Sequence, residues 1–432
     1  MDITPSLPGQ ASSHQENFSA HFPEPCSSFD QVIQDSREKP ESRSRITFVY
    51  FDAGGGHRAA TNALCSAIRE RELPWEITCL NLQELLDETD IIRKITGLRV
   101  QDFYNAMVKR GWTLGTAQLL KGLHLLIHLY HKPVVDILKS YWQRTKPEMV
   151  VSLIPNFNLQ VAESLRVMLP SCPFVTILTD MADYPPHFWI VPESPFVICG
   201  TSRAVKQAYS MGHTPENVFS TSGMILNPAF YASPKVDRYA IRESLGLHHD
   251  YTTGIVLFGG QGSPVMSSIA RQLNALDKLQ LIIICGQNQK LEARLRLTKF
   301  RIPVLVEGFT NLVNRYMQIS DFFIGKPGPA SISEALLMGL PVIVERNAWT
   351  LPQERYNADW VIEKEVGMVV ENFRHIGRAV ERLVEPAAMA RYKANALAVQ
   401  NRAVFEIPRI LETILERTKG GVPARVLEGQ NR

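Results

Sequence analysis

The stretch Gly325-Lys326-Pro327-Gly328-Pro329-Ala330-Ser331-Ile332-Ser333-Glu334 joins a glycine-bearing turn to a helix start and sets an acid within that helix's first turns. Backbone N–H groups at a helix start lack intrahelical acceptors and carry positive partial charge, which suits a phosphate. A carboxylate at Glu334 stands within reach of a ribose hydroxyl on the same ligand. Far upstream, Gly54-Gly55-Gly56-His57 follows another apolar run and ends in a histidine. An imidazole with an ordinary pKa of about 6.5 suits removal of a proton from a hydroxyl nucleophile at neutral pH. A nucleotide-diphosphate site on one half and a proton acceptor on the other point to group transfer from an activated donor.

Other candidates carry two readings each. Gly259-Gly260-Gln261-Gly262-Ser263 is either a tight strand-to-helix connection or a second phosphate-friendly turn. A G-x-G pattern alone is weak evidence, but two such turns in one half favour a ligand site beyond strand ends. Gly260 and Gly262 belong to one turn, and Pro329, Ala330 and Ser331 to the other; no G-x-x-x-x-G-K-[ST] P-loop is present. Glu334 alone would read as a first-turn acid stabilised by the helix dipole, whereas beside the glycine turn a ribose acceptor is the better reading. Gln353-Glu354 follows the strand-like Val342 to Val344, where loop polar groups reach sugar hydroxyls or simply meet water. Asp180 closes another strand, so it orients a base, contacts substrate or caps a turn. His124, His128 and His131 recur at helical spacing, but no thiolate or carboxylate accompanies them. An apolar core helix is favoured there, and no metal site is expected.

These residues need strands and helices to position them. Residues 1–45 are rich in Ser, Pro, Gln and Glu without apolar periodicity and read as a disordered leader. Ile46 to Phe51 reads as a buried parallel strand, Arg58 to Arg71 as a helix, and Ile77 to Leu80, Met149 to Leu153, Phe174 to Leu178 and Phe196 to Cys199 as further strands. Val100 to Trp142 is helical in pattern and rich in leucine and aromatic residues. After a Pro- and Gly-bearing linker at 228–253 the alternation restarts, with strands at Gly254 to Phe258, Leu281 to Cys285, Val304 to Val306, Phe322 to Ile324 and Val342 to Val344. Two doubly wound α/β domains are expected, at 46–227 and 254–432.

Composition bounds the function. A length of 432 residues exceeds one ordinary core, and 45% hydrophobic with 21% charged content fits a globular enzyme. A net charge of only +3 argues against a nucleic-acid binder but leaves room for a local basic patch facing anionic lipid. The six cysteines are scattered without a C-x-x-C pair, so a reducing compartment is favoured. Neither a secretion signal nor eighteen consecutive apolar residues occur, so a cytoplasmic protein touching membrane only from its surface is expected. The Leu119-to-Tyr130 segment is a core helix or an acceptor face bordered by Lys109, Arg110, Lys121 and Lys132.

Several motifs together resemble the monogalactosyldiacylglycerol synthase-like branch of glycosyltransferase family 28, with the GT-B fold. They are Gly54-Gly55-Gly56-His57-Arg58-Ala59, the Y-N-x-x-V-K-x-G pattern at Tyr104 to Gly111, Thr179-Asp180, and the aromatic loop at Pro186 to Trp189. The second half adds Gly259-Gly260, Gly308-Phe309-Thr310-Asn311, Lys326-x-Gly328-Pro329-x-x-Ile332-x-Glu334-Ala335, and Gln353-Glu354 with Asn357. The resemblance runs collinearly from Arg45 to Met368 and implies two Rossmann-like domains facing a cleft. It implies an inverting transfer of a hexose from a UDP-sugar, with no cofactor or metal, to a lipid acceptor such as diacylglycerol. By the same resemblance Gly308 and Phe309 hold uracil and Glu334 the ribose. Gly260, Gly262, Pro329, Ala330 and Ser331 surround the pyrophosphate, while Gln353 and Glu354 address the sugar. His57 is the candidate base with Asp180 second, and Gly55, Gly56 and Trp112 lie on the acceptor side. The branch's S-x-H-P pattern reads Ser152-Leu153-Ile154-Pro155 here, without its histidine.

Rival readings are transfer of N-acetylglucosamine to a polyprenyl-linked peptidoglycan precursor, a UDP-sugar epimerase, and a non-catalytic UDP-sugar sensor. An epimerase would need no acceptor region, and the presence of both His57 and Glu334 speaks against a sensor.

Overall fold

A computed structural model describes residues 43–52, 55–88, 130–184, 188–232 and 236–420. The expected leader up to residue 42, Gly54, and the aromatic and leucine-rich stretch as far as residue 129, including Trp112, Lys109, Arg110, Lys121, His124 and His128, lie outside them, while Ser44 and Arg45, read with the leader, begin the first strand.

The first sheet contains β1 (Ser44–Tyr50), β2 (Trp75–Asn81), β3 (Met149–Ser152), β4 (Phe174–Ile177), β5 (Phe196–Cys199) and β6 (Val218–Ser220). The second contains β7 (Thr252–Leu257), β8 (Leu279–Ile284), β9 (Val304–Glu307), β10 (Phe322–Gly325), β11 (Val342–Glu345) and β12 (Gly367–Val370). The short β6 and β12 were not anticipated from the sequence. Every pairing is parallel, in the orders β2-β1-β3-β4-β5-β6 and β12-β11-β10-β7-β8-β9. Helices cover both faces of such sheets, so central strands read as unbroken apolar runs. All six residues of β8 (LQLIII) are buried, whereas the edge strand β2 alternates between half-buried and exposed over its first four positions.

Each strand order reverses direction once, between β1 and β3 and again between β7 and β10. At such a switch point the connections leave to opposite faces and open a crevice beyond the strand ends. Leu257 is level with Gly325 in the β7–β10 register, so the turns that follow both strands flank one crevice. Val49 is likewise level with Ser152, which brings the His57 loop beside Leu153.

Two segments sit elsewhere than the linear reading placed them. Within the expected linker, Arg238–Ser244 is a helix capped by Asp237, and Ile241, Leu245 and Leu247 pack into the core of the second domain. Its guanidiniums grip Asp321, with Arg238 and Arg242 each donating at 2.7 Å and the Thr253 N–H at 2.8 Å. The final helix, Ala403–Lys419, was assigned with the second domain but covers the first sheet. Val404, Ile407, Leu411, Ile414 and Leu415 pack against the cluster containing Ile46, Phe48, Ile68 and Val151. Ion pairs of Glu412 with Arg71 (2.8 Å) and Lys419 with Glu148 (2.9 Å) fix its register. The two crossings between domains are tied together where Asn401 donates to the Met224 carbonyl at 2.9 Å.

Asp321→Ala should therefore lower stability by about 2 kcal/mol, because it leaves the buried Arg242 guanidinium without its counter-charge. Urea unfolding of both proteins reads the loss; an unchanged midpoint would show that the Arg238–Asp321–Arg242 cluster contributes nothing net.

Candidate functional site

On the first domain, Gly55 caps the Gly56–Glu70 helix with a left-handed φ of 80°, which glycine adopts without strain. That sharp entry sets His57 in the helix's first turn, beside the ends of β3 and β4. The Thr179 hydroxyl lies 3.1 Å from His57 Nδ1, and the ring makes a further hydrogen bond to the Leu153 backbone. Burial holds the imidazole down at about 4, against that backbone bond, so it is neutral at physiological pH.

Asp180 was a candidate for orienting His57, and the structure gives it another partner. Its carboxylate accepts a 2.9 Å hydrogen bond from the Trp189 indole, whose ring lies 5.7 Å from the His57 ring, centroid to centroid. Trp189 is wholly buried and held from both sides of its backbone: its N–H donates to Asp183 (2.7 Å), and its carbonyl accepts from Asn158 (2.7 Å). Thr179, Trp189, Asp183 and Asn158 thus assemble the surroundings of His57 and Asp180. Only Thr179 and the Trp189 loop had a sequence signal, and none revealed these contacts. Burial pushes the Asp180 carboxyl up to about 7; the Trp189 bond opposes this, Glu354 adds to it and Lys326 offsets it. Those last two residues belong to the second domain, so the two sites face each other.

On the second domain, Gly328 begins the Pro329–Leu337 helix without any side-chain cap. Pro329 has no N–H and suits the first helical position, and Ile332 makes the first intrahelical bond to the Gly328 carbonyl at 3.1 Å. The N–H groups of Ala330 and Ser331 precede that bond and have no intrahelical acceptor. Beside them runs the Gly259-to-Gly262 turn. A side chain on Gly262 (φ 60°) would collide with the Cys285 carbonyl at 2.5 Å, whereas the space in front of Gly260 is open.

Glu334, in the same helix, is half-buried, and burial alone drives its carboxyl up to about 8. Glu354 is almost fully buried, and its carboxylate accepts from Lys326 Nζ at 2.8 Å, a pairing with no sequence signal. Asn357, wholly buried, donates to the Pro327 carbonyl at 2.8 Å and stitches the Gln353-Glu354 turn to the glycine turn. Gln353 lies half-buried in that turn. Gly308 and Phe309 follow β9 at the sheet edge, two strands from β7; Phe309 is 58% exposed although apolar. His131, last of the three spaced histidines, is paired with Glu163 at 2.6 Å.

Two Rossmann-like domains with apposed sites at their strand ends make up the GT-B fold, and comparison with known proteins agrees. Residues 254–410 match the glycosyltransferase family 28 C-terminal domain. The chain is 27% identical to a probable monogalactosyldiacylglycerol synthase 2, chloroplastic, of Oryza sativa subsp. japonica, over 88% of this chain and 82% of that protein. It is also 27% identical to the monogalactosyldiacylglycerol synthase, chloroplastic, of Spinacia oleracea, over 88% and 74%. Among solved structures, Acinetobacter baumannii MurG shares the fold at a TM-score of 0.58 and 11% identity, covering 86% of this chain and 99% of that one. The S. aureus MnaA-UDP co-structure does so at 0.57 and 15%, covering 88% and 98%. The protein is thus a glycosyltransferase related to monogalactosyldiacylglycerol synthases. Among the described residues no helix is long and apolar enough to cross a membrane.

Proposed function

We propose that the protein transfers a hexose from a UDP-sugar to a lipid hydroxyl, diacylglycerol in the first instance, with inversion at the sugar carbon. The observation that carries this is a neutral, half-buried His57 packed near Trp189, whose partner Asp180 feels Glu354 and Lys326 of the other domain beside the uncapped helix start at Gly328. The acceptor oxygen attacks the anomeric carbon and its proton passes to His57. The bond from that carbon to the diphosphate oxygen breaks, and UDP leaves. Its growing charge is met by the helix start at Ala330 and Ser331 and by the turn at Gly260 and Gly262. In this reading Glu334 holds the ribose, Gly308 and Phe309 hold the uracil, and Gln353 and Glu354 hold the sugar. Asp180 lines the acceptor side with Gly55 and Gly56.

The lipid part of the reading is supported by relatives named as monogalactosyldiacylglycerol synthases. Incubation with UDP-galactose, UDP-glucose and UDP-N-acetylglucosamine, with and without diacylglycerol vesicles, tests it. A glycolipid formed from one donor only with diacylglycerol is the expected result. Donor turnover that needs no acceptor would replace it with the epimerase reading.

A membrane-resident acceptor further requires attachment at the bilayer surface, on the cytoplasmic side in this reading, with Trp112 and its basic neighbours as the contact. Sedimentation with anionic liposomes should fall as salt rises and in the Lys109→Glu, Arg110→Glu, Lys121→Glu variant. Equal recovery on neutral and anionic liposomes would remove the electrostatic contact.

A further inference from the structure

Lys326 occupies the gap between the two turns just assigned to the diphosphate. A methyl group built on Gly259 would lie 3.7 Å from Lys326 Cε, and one built on Gly328 would lie 3.5 Å from it. The aliphatic stem therefore runs between both turns, and its ammonium ends on Glu354 Oε1 at 2.8 Å. The lysine side chain is 42% exposed and the glutamate side chain 11%, so the cation is the more exposed member of the pair. Glu354 is fixed by the Pro352–Glu354 turn, which Asn357 anchors to Pro327. Across the cleft Asp180 feels both charges.

A diphosphate entering between these turns meets the ammonium at a single step, and its charge exceeds that of one carboxylate. We propose that Lys326 is a partner-exchanging cation: Glu354 holds it in the free protein, and it moves to the diphosphate of the bound donor. The exchange releases the Glu354 carboxylate to accept a hydroxyl of the donor sugar, so sugar recognition is armed only when the diphosphate is in place. This rests on the donor reading above and adds a residue and a sequence of events to it. Leaving Glu354 costs Lys326 one carboxylate partner, whereas a diphosphate offers it more negative charge and several acceptor oxygens, so the exchange runs toward the ligand.

The two partners then have opposite effects on binding of the sugar-free nucleotide, which a purely structural ion pair would not produce. Calorimetric titration of the full chain with UDP and with uridine separates them. Lys326→Gln should weaken UDP binding about 10-fold or more and leave uridine binding unchanged, and Lys326→Arg should restore most of the loss. Glu354→Gln should tighten UDP binding about three- to ten-fold, because the competing carboxylate is gone, and yet lower the rate of sugar transfer. If Glu354→Gln weakens UDP binding as Lys326→Gln does, or if both variants bind UDP as wild type does, the exchange is wrong and the donor site stands. If the wild type binds no UDP, the donor reading falls and the exchange falls with it.

Discussion

Replacing His57 with alanine is expected to lower kcat by about 10²–10⁴-fold while leaving UDP affinity unchanged. The split follows from geometry: His57 sits on the first domain between Thr179 and Leu153, and the turns assigned to the nucleotide lie on the second. A pH profile adds a readout that simple damage to the fold would not move. Burial keeps the free imidazole well below its ordinary value, at about 4, so the acid limb of kcat/KM that belongs to His57 should lie below pH 6.5. A bound diphosphate brings negative charge that favours the imidazolium, so the corresponding limb of kcat should lie higher than that of kcat/KM. A limb near pH 7 that Asp180→Asn removes belongs to Asp180, whose carboxyl is raised to about 7. If His57→Ala turns over at the wild-type rate with saturating substrates, the base is elsewhere.

Glu334→Ala should weaken UDP binding by about 1.5–3 kcal/mol, the range for a hydrogen bond to a charged group. The more telling measurement is proton release. In the free protein burial raises the Glu334 carboxyl to about 8, so at pH 7 it is largely protonated. Ribose hydroxyls donating to it favour the charged form, and binding should lower its pKa and expel the proton. UDP affinity should therefore rise as pH increases from 7 through 8 and level off above. Phosphate's own titration near pH 6 is complete by then. Calorimetry at pH 7 in buffers of different ionisation enthalpy should show release of most of one proton for wild type and none for Glu334→Gln. Release that persists in that variant would remove the ribose assignment.

Much of this architecture was legible because central parallel strands must be apolar on both faces. Runs such as Leu281 to Cys285 and Phe322 to Ile324, rich in β-branched or aromatic residues and each followed by a glycine, fit strands buried on both faces. Glycines at strand ends followed by helical periodicity mark the turns, since only certain residues tolerate the backbone there. Val218–Ser220 and Gly367–Val370 escaped notice because each of these edge strands buries a single residue and so lacks the unbroken apolar run that marked the others.

The sequence by itself determined the two α/β units, the glycine turns and the placing of His57, Asp180, Glu334 and Glu354 beside them. These are local matters, set by periodicity and by backbone conformations that few residues accept. Tertiary structure alone decided which sheet the last helix covers, because an apolar stripe such as Val404, Ile407, Leu411 and Ile414 fits any apolar face. It also decided the partners of the charged groups. Lys326 and Glu354 meet at 2.8 Å across 28 positions, and Asp180 finds the indole of Trp189 instead of His57. Such pairings depend on distances between elements, which the order of residues does not encode locally.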